Sequence, residues 1–207
     1  MAIKICLDAG HDGKYNRSSV VPAYYESDFI WKLYVKLKKY LEEYGIEVTG
    51  TRANQNVEMG TKTRGRYSKG HNAFFSLHAN WAERESADHV VIYEMLTKKQ
   101  HKLAVALATG ISEIMGTKEK YDIRTKAKDS GGEWYGVLQG CEQVDNENGF
   151  ILEHSFYSNK AMATWMMDDS NIDKLAKEEA KIIAEYFGVD KKMVNTTTTT
   201  SAEKVVQ

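Results

Sequence analysis

The 207-residue chain contains only two cysteines and one proline, and it carries almost no net charge. Cys6 and Cys141 are too far apart in the sequence for a disulfide framework or a cysteine zinc site, so we expect two buried free thiols. A formal charge of −1 provides no basic face of the kind that nucleic-acid binding requires. Any metal chemistry must therefore use histidine and carboxylate side chains.

Long hydrophobic segments are also absent from the sequence. No apolar run approaches the roughly 20 residues of a membrane-spanning helix. The first residues, MAIKI, lead directly into a strand pattern without the charged region and cleavage site of a signal peptide. We therefore expect a protein made in the cytoplasm with no membrane partner, which needs a separate route of release to act outside the membrane.

Strand and helix patterns alternate along the chain, which is typical of an α/β fold with a largely parallel sheet. The length and the 42% hydrophobic content suit one folded domain. The polar segment 116–133 is predicted to be a surface loop. Strands are predicted at 3–7, 46–49, 73–77, 90–94, 137–138 and 149–154, and helices at 26–44, 57–69, 98–115 and 172–187.

The composition changes near the end of the chain. From Asn195 the sequence continues into five threonines and a serine, with no apolar face. We therefore assign residues 1–190 to the folded domain and residues 191–207 to a linker or disordered tail.

Polar side chains stand where predicted strands end. His11 follows the first strand in the segment LDAGHDG, His78 follows the third, and Glu153 closes the late strand. Glu26 begins the first helix. Because ligands bind at the carboxyl ends of the strands in open α/β sheets, we expect these four residues to share one edge.

Two imidazoles and one carboxylate, with a fourth position open, form the ligand set of a catalytic zinc site. A second carboxylate that binds no metal can then carry a proton to a leaving amine. Glu153 suits that role because it ends an apolar strand, where burial raises a carboxyl pKa. Spacing alone leaves simpler roles open: Glu26 as a first-turn acid, His78 as a core histidine and Glu153 as half of an ion pair.

Four segments, in order, resemble the zinc-dependent N-acetylmuramoyl-L-alanine amidases of the amidase-3 group. They are LDAGHDG, the run from YYESDF to TGTR, AFFSLHANW and FILEHSFYSN. The resemblance covers residues 3–187, nearly the whole folded part. It implies a twisted, mostly parallel six-stranded sheet flanked by helices on both faces, and hydrolysis of the amide between N-acetylmuramic acid and L-alanine in peptidoglycan.

The resemblance also implies roles for individual residues. One zinc ion per chain is bound by His11, Glu26 and His78, and Glu153 is the catalytic glutamate. Three lesser candidates for contacting substrate or orienting His78 are Asn80, Arg64 and Ser76, with Arg66 as an alternative to Arg64.

Two departures from the family pattern affect the site. His154 replaces a small or apolar residue, although strand alternation directs its side chain away from Glu153. Segment 116–140 has no clear counterpart and is expected to shape the substrate groove.

The biological setting that we expect is a phage endolysin released by a holin, with a C-terminal wall-binding module in a longer parent protein. A host autolysin or a sporulation amidase would carry the same chemistry. Two other hypotheses stay open: a zinc peptidase that cuts within the peptide stem, and a catalytically dead wall-binding domain. The presence of all four expected residues argues against the last of these.

Overall fold

The computed structural model describes residues 2–190, in which six strands form one sheet. The strand order is β2-β1-β3-β6-β4-β5, and every neighbouring pair is parallel except β4 and β6. This arrangement confirms the predicted α/β class with a mostly parallel sheet. The strands are β1 Lys4–Ala9, β2 Glu47–Gly50, β3 Ala73–Asn80, β4 Val91–Glu94, β5 Asp122–Arg124 and β6 Gly149–Phe156.

Three long helices cover one face of the sheet and build the larger hydrophobic core. The first of them buries an apolar stripe at helical spacing and ends before Gly45, whose φ of 83° suits a helix stop. The last packs on both of the others. The helices of the described residues are α1 Glu26–Glu43, α2 Thr61–Arg66, α3 His101–Met115, α4 Gly136–Glu142, α5 Lys160–Trp165 and α6 Asp169–Tyr186.

The short helices α2 and α4 cover the opposite face, above a smaller cluster that contains Cys6 and Cys141. They approach each other closely because glycines face each other. A Cβ atom at Gly65 would lie 1.9 Å from the Val137 carbonyl oxygen, and one at Gly140 would lie 2.2 Å from that of Lys62. Both cysteines are free and buried, as predicted.

The prediction of a strand at 137–138 is wrong, because these residues lie in helix α4. The apolar residues Val137, Leu138 and Cys141 are spaced as on one helical face, and a run of two apolar residues does not distinguish helix from strand. The polar helix predicted at 57–69 is shorter than expected and spans Thr61–Arg66.

The prediction that 116–133 is entirely loop is also wrong, since β5 lies within it. This three-residue strand stands at the edge of the sheet and pairs in parallel with β4. Its residues are only partly covered, so they lack the apolar alternation by which strands are recognised in a sequence.

Within residues 2–190, none of the helices has the length and apolar character needed to cross a bilayer. The predicted linker or tail at 191–207 lies outside the described residues.

Candidate active site

The ends of three adjacent parallel strands bring the predicted site residues together. Strands β1, β3 and β6 are neighbours, so their carboxyl ends lie on the same edge of the sheet. β3 and β6 extend further than predicted, to Asn80 and Phe156, so His78 lies within β3 and Glu153 does not close β6. The two residues are register partners, which places their side chains side by side on the face covered by α2 and α4. His11 follows β1, and Glu26 is the first residue of α1.

His11, Glu26 and His78 form the one cluster among the described residues that could hold a metal ion. One ligand atom from each lies within 4.8 Å of the others. Both His11 Nε2 and His78 Nδ1 lie 3.1 Å from Glu26 Oε1. Two imidazoles and one carboxylate are donors that Zn²⁺ prefers, so these residues fit a zinc ion.

The electrostatics of this cluster keep the Glu26 carboxylate ionised. Burial alone would raise its pKa, but the hydrogen bonds and charges of His11 and His78 outweigh burial and hold the pKa well below its usual range. Burial lowers the pKa of His78, yet its hydrogen bond to Glu26 and the charge of that carboxylate raise the pKa to about 9. The carboxylate and the imidazoles therefore stabilise each other's charges, with the negative charge on Glu26.

Gly10 allows the loop after β1 to pass directly beside His78. A Cβ atom at this position would lie 2.3 Å from His78 Cε1 and 2.6 Å from the Leu77 carbonyl oxygen, so no other residue fits without displacement. His11, the next residue, has a φ of 55°, in the left-handed region that non-glycine residues rarely adopt. Its ring stacks on Tyr15 at 5.2 Å. The first histidine is thus held in an unusual conformation by close packing.

Asn16, which the sequence pattern did not single out, contacts two members of the cluster. Its amide Nδ2 donates a hydrogen bond to Glu26 Oε2 at 2.6 Å and lies 3.2 Å from His11 Nε2. The only signal in the sequence was an asparagine in the loop between the first strand and the first helix. Such residues are common in turns, so the signal was too weak to use.

Glu153 lines a cleft of about 370 Å³ together with the three clustered residues. Burial raises its pKa to about 7; the neighbouring Glu26 also raises it, while His78 and His154 oppose the shift. Its Oε2 atom is buried and has no hydrogen-bond partner among the described residues. The cleft is completed by polar, aromatic and small residues: Asn16, Thr61, Ala79, Asn80, Trp81, Tyr135, Gly136, Val137, Ile151 and Tyr157.

The lesser candidates occupy different places. Asn80 lines the cleft, where its Oδ1 accepts a hydrogen bond from the backbone N–H of Trp81. Ser76 is fully buried and donates its hydroxyl to Asp8 Oδ2 at 2.7 Å. Arg64 donates to the Ala9 carbonyl oxygen at 3.1 Å and lies 3.6 Å from Asp8. Ser76 and Arg64 therefore stabilise the end of β1.

Arg66, the alternative to Arg64, is exposed and donates a hydrogen bond to Gln143 at the end of α4. Arg64 by contrast also lines a second cavity beside His11 and His78. Segment 116–140 reaches the cleft through Tyr135, Gly136 and Val137.

His154 points to the face of the sheet opposite Glu153, as strand alternation predicts. Its ring meets Phe29 of α1 edge to face and its Nε2 lies 2.8 Å from Glu179 Oε1 of α6. Burial lowers the pKa of His154, but the charge of Glu179 and the hydrogen bond to it produce a net increase. Glu179 was missed although it falls within the apolar stripe of the last helix, where a carboxylate needs a buried partner.

Comparison with known proteins identifies the family. The family model described as N-acetylmuramoyl-L-alanine amidase, Amidase_3, matches residues 5–185. Among curated proteins no match is found.

Solved structures of similar fold include three bacterial proteins. The catalytic domain of the amidase CwlV from Bacillus (Paenibacillus) polymyxa var. colistinus has a TM-score of 0.75 at 19% identity, covering 91% of this chain and 99% of that one. An N-acetylmuramoyl-L-alanine amidase from Clostridium difficile 630 has a TM-score of 0.76 at 17% identity, with coverages of 90% and 97%. Cwp6 from Clostridium difficile has a TM-score of 0.73 at 20% identity, covering 89% of this chain but 29% of that one.

These structures share the fold, and the family model spans most of the chain, in agreement with the four segments recognised in the sequence. The chain belongs to the Amidase_3 family of N-acetylmuramoyl-L-alanine amidases.

Proposed function

We propose that this amidase depends on zinc and cleaves the bond between N-acetylmuramic acid and L-alanine in bacterial peptidoglycan, with His11, Glu26 and His78 as the metal ligands. The observation that carries the proposal is the meeting of these three residues at one edge of the sheet, with Glu153 beside His78 in the same cleft. Three protein ligands leave a coordination position open, as in catalytic zinc sites.

Zinc at this position would polarise the scissile carbonyl and make water a nucleophile at neutral pH. Proton transfer falls to Glu153, whose Oε2 atom has no other partner among the described residues. This atom takes a proton from the attacking water and delivers it to the nitrogen of L-alanine as the C–N bond breaks. Burial raises the pKa of this carboxyl group, which favours both its accepting and its releasing a proton at neutral pH.

Asn80 is the lesser candidate that we retain for substrate contact, because it lines the cleft. The neighbouring Trp81 is half exposed, and Tyr135 stands on the same cleft. Their rings offer apolar faces to a bound substrate, while Asn80 offers an amide. For Ser76 and Arg64 we propose an indirect role, in which they hold β1 in position through Asp8 and Ala9.

Product analysis tests the reaction. Purified peptidoglycan is digested with the protein, and the new amino termini and the released fragments are identified. We expect new amino groups on L-alanine alone and glycan strands freed of peptide. New amino termini within the peptide stem would instead support the alternative, a zinc peptidase.

We propose a phage endolysin as the biological setting, with a wall-binding module following the described domain. The low coverage of Cwp6 supports this arrangement, because there a domain of this fold is part of a much longer chain. A host autolysin or sporulation amidase is the alternative, favoured by the bacterial origin of the similar structures.

Expression in a bacterium with a sensitive wall separates the two settings. An endolysin should leave growing cells intact until a holin is co-expressed and should then lyse them at once. Lysis that needs no holin, and that follows export of the protein, would favour the autolysin.

A further inference from the structure

A buried pair, His154 of β6 and Glu179 of α6, lies behind the proposed zinc site. Both side chains are completely buried, and His154 Nε2 lies 2.8 Å from Glu179 Oε1. A carboxylate and an imidazole are costly in an apolar core unless they are paired. Apolar side chains could fill the same space in the core without this cost, so packing alone does not account for the pair.

The second ring nitrogen of His154 connects this pair to the site. Its Nδ1 donates to the carbonyl oxygen of His78 at 2.8 Å. The N–H of the same peptide unit, which belongs to Ala79, donates to Glu26 Oε1 at 3.0 Å. One continuous chain of hydrogen bonds thus runs from Glu179 through His154 and the 78–79 peptide to the carboxylate of Glu26.

The connection occurs where the pairing of β3 with β6 is irregular. His78 pairs with Glu153, but the next pair is Asn80 with Phe156, so β6 contains one extra residue at this point. Such irregularities leave a peptide less firmly held by the ladder and often redirect a side chain near an active site. The imidazole of His154 supplies a fixed donor to the backbone at that place.

We infer that His154 and Glu179 are positioning residues. They hold the 78–79 peptide in place and, through it, fix the orientation of Glu26 and His78. The inference rests on the proposed zinc site. Hydrogen bonds in such a chain polarise one another, so a donor on the peptide carbonyl strengthens the N–H bond to Glu26. Mutation of residues that orient metal ligands through hydrogen bonds typically lowers metal affinity or activity by about 10- to 100-fold.

The test replaces both members together, because removal of one would leave the other unpaired in the core. The double variant His154→Leu/Glu179→Leu should fold, since replacing both partners of a buried pair by apolar groups is often nearly neutral. Competition with a chelator then measures zinc affinity. We expect affinity to fall at least about 10-fold, with kcat reduced more than KM is raised.

A control comes from another histidine–glutamate pair, in which the glutamate is buried and the histidine is half exposed. His101 Nδ1 lies 2.8 Å from Glu94 Oε1, and this pair joins α3 to β4 without contacting the site. The variant His101→Leu/Glu94→Leu should keep wild-type zinc affinity. If the His154→Leu/Glu179→Leu variant binds zinc as tightly as the wild type, the inference is wrong; if the wild type binds no zinc, the proposed function itself fails.

A conservative variant provides a second readout that does not depend on the double substitution. Glu179→Gln keeps the size and the hydrogen-bonding capacity of the side chain but removes its charge. We expect the amide proton of Ala79 to shift to higher field in the NMR spectrum, because its bond to Glu26 weakens, while zinc still binds. An unchanged Ala79 resonance would overturn the connection through the peptide.

Discussion

The carboxyl group of Glu153 combines features that neighbouring residues do not share. It lies in the cleft beside His78, one of its oxygens has no hydrogen-bond partner within residues 2–190, and its pKa of about 7 results mainly from burial. The adjacent His154 is completely buried, whereas Glu153 is partly exposed, and both nitrogens of His154 are bonded within the core. One step along a strand thus separates a group available for proton transfer from one that is held in place.

Glu153→Gln should abolish most of the activity without loss of metal. General acid–base groups contribute about 10²- to 10⁴-fold to rate, and an amide cannot accept the proton. We expect kcat to fall by that factor while zinc content stays at one ion per chain and the melting temperature changes little. Wall lysis at the wild-type rate would remove Glu153 from the mechanism.

Gly10→Ala should weaken the site although Gly10 carries no functional group. The added methyl would collide with the ring of His78 and with the backbone of Leu77. Displacement of a reacting group by about 1 Å can cost about 10²-fold in rate. We expect weaker zinc binding and a matching loss of activity, measured by chelator competition and a turbidity assay. Gly60→Ala, which has open space around it, serves as the control.

At the scale of elements, the contact between α2 and α4 places one wall of the cleft. Helix α4 begins with Gly136 and Val137, both of which line the cleft, and it rests on α2 through Gly65 and Gly140. A short helix of this kind has little stability by itself, so its position depends on this packing.

Gly140→Ala should therefore lower the stability of the protein. Its Cβ atom would lie 2.2 Å from the Lys62 carbonyl oxygen, and overpacking against backbone typically costs about 1–3 kcal/mol. Denaturant unfolding measures the change. The control Gly60→Ala should be destabilised less, because a Cβ atom there meets no described residue within 4 Å and φ is −60°, so only the poor suitability of alanine as the N-cap of α2 opposes it. Equal stability of the two variants would contradict the packing described.

At the scale of the molecule, the three proposed ligands belong to separate parts of the chain. His11 follows β1, Glu26 opens α1 and His78 lies in β3, so a bound metal would join three elements. The unfolded chain does not hold these residues together, and binding should therefore favour the folded state.

Removal of metal should reduce activity and stability together. With free zinc at 100 times its dissociation constant, the stabilisation is about 2.7 kcal/mol. We expect chelator-treated protein to be inactive and to melt at a lower temperature, with both properties restored by added zinc. The His11→Ala variant provides the comparison and should show no zinc-dependent rise in melting temperature. An identical melting temperature with and without zinc in the wild type would count against the site.

The residue pattern alone established the alternation of strands and helices, and it predicted the four residues that the structure brings together in one cleft. Apolar periodicity is local, so the long elements could be read directly. His11 follows β1, and His78 and Glu153 lie near the carboxyl ends of β3 and β6. Adjacent parallel strands bring such positions to one edge. Family resemblance then supplied the roles, which spacing alone left open.

The contacts between elements became known from the folded structure alone. The structure showed that 137–138 is helical, which two apolar residues could not reveal because they are too few to show a periodicity. It also showed that the Ser76 side chain bonds to Asp8 on the neighbouring strand. It also paired His154 with Glu179, which is 25 residues away on another element. Contacts of this kind depend on the packing of one element against another, which cannot be predicted from residue type or spacing.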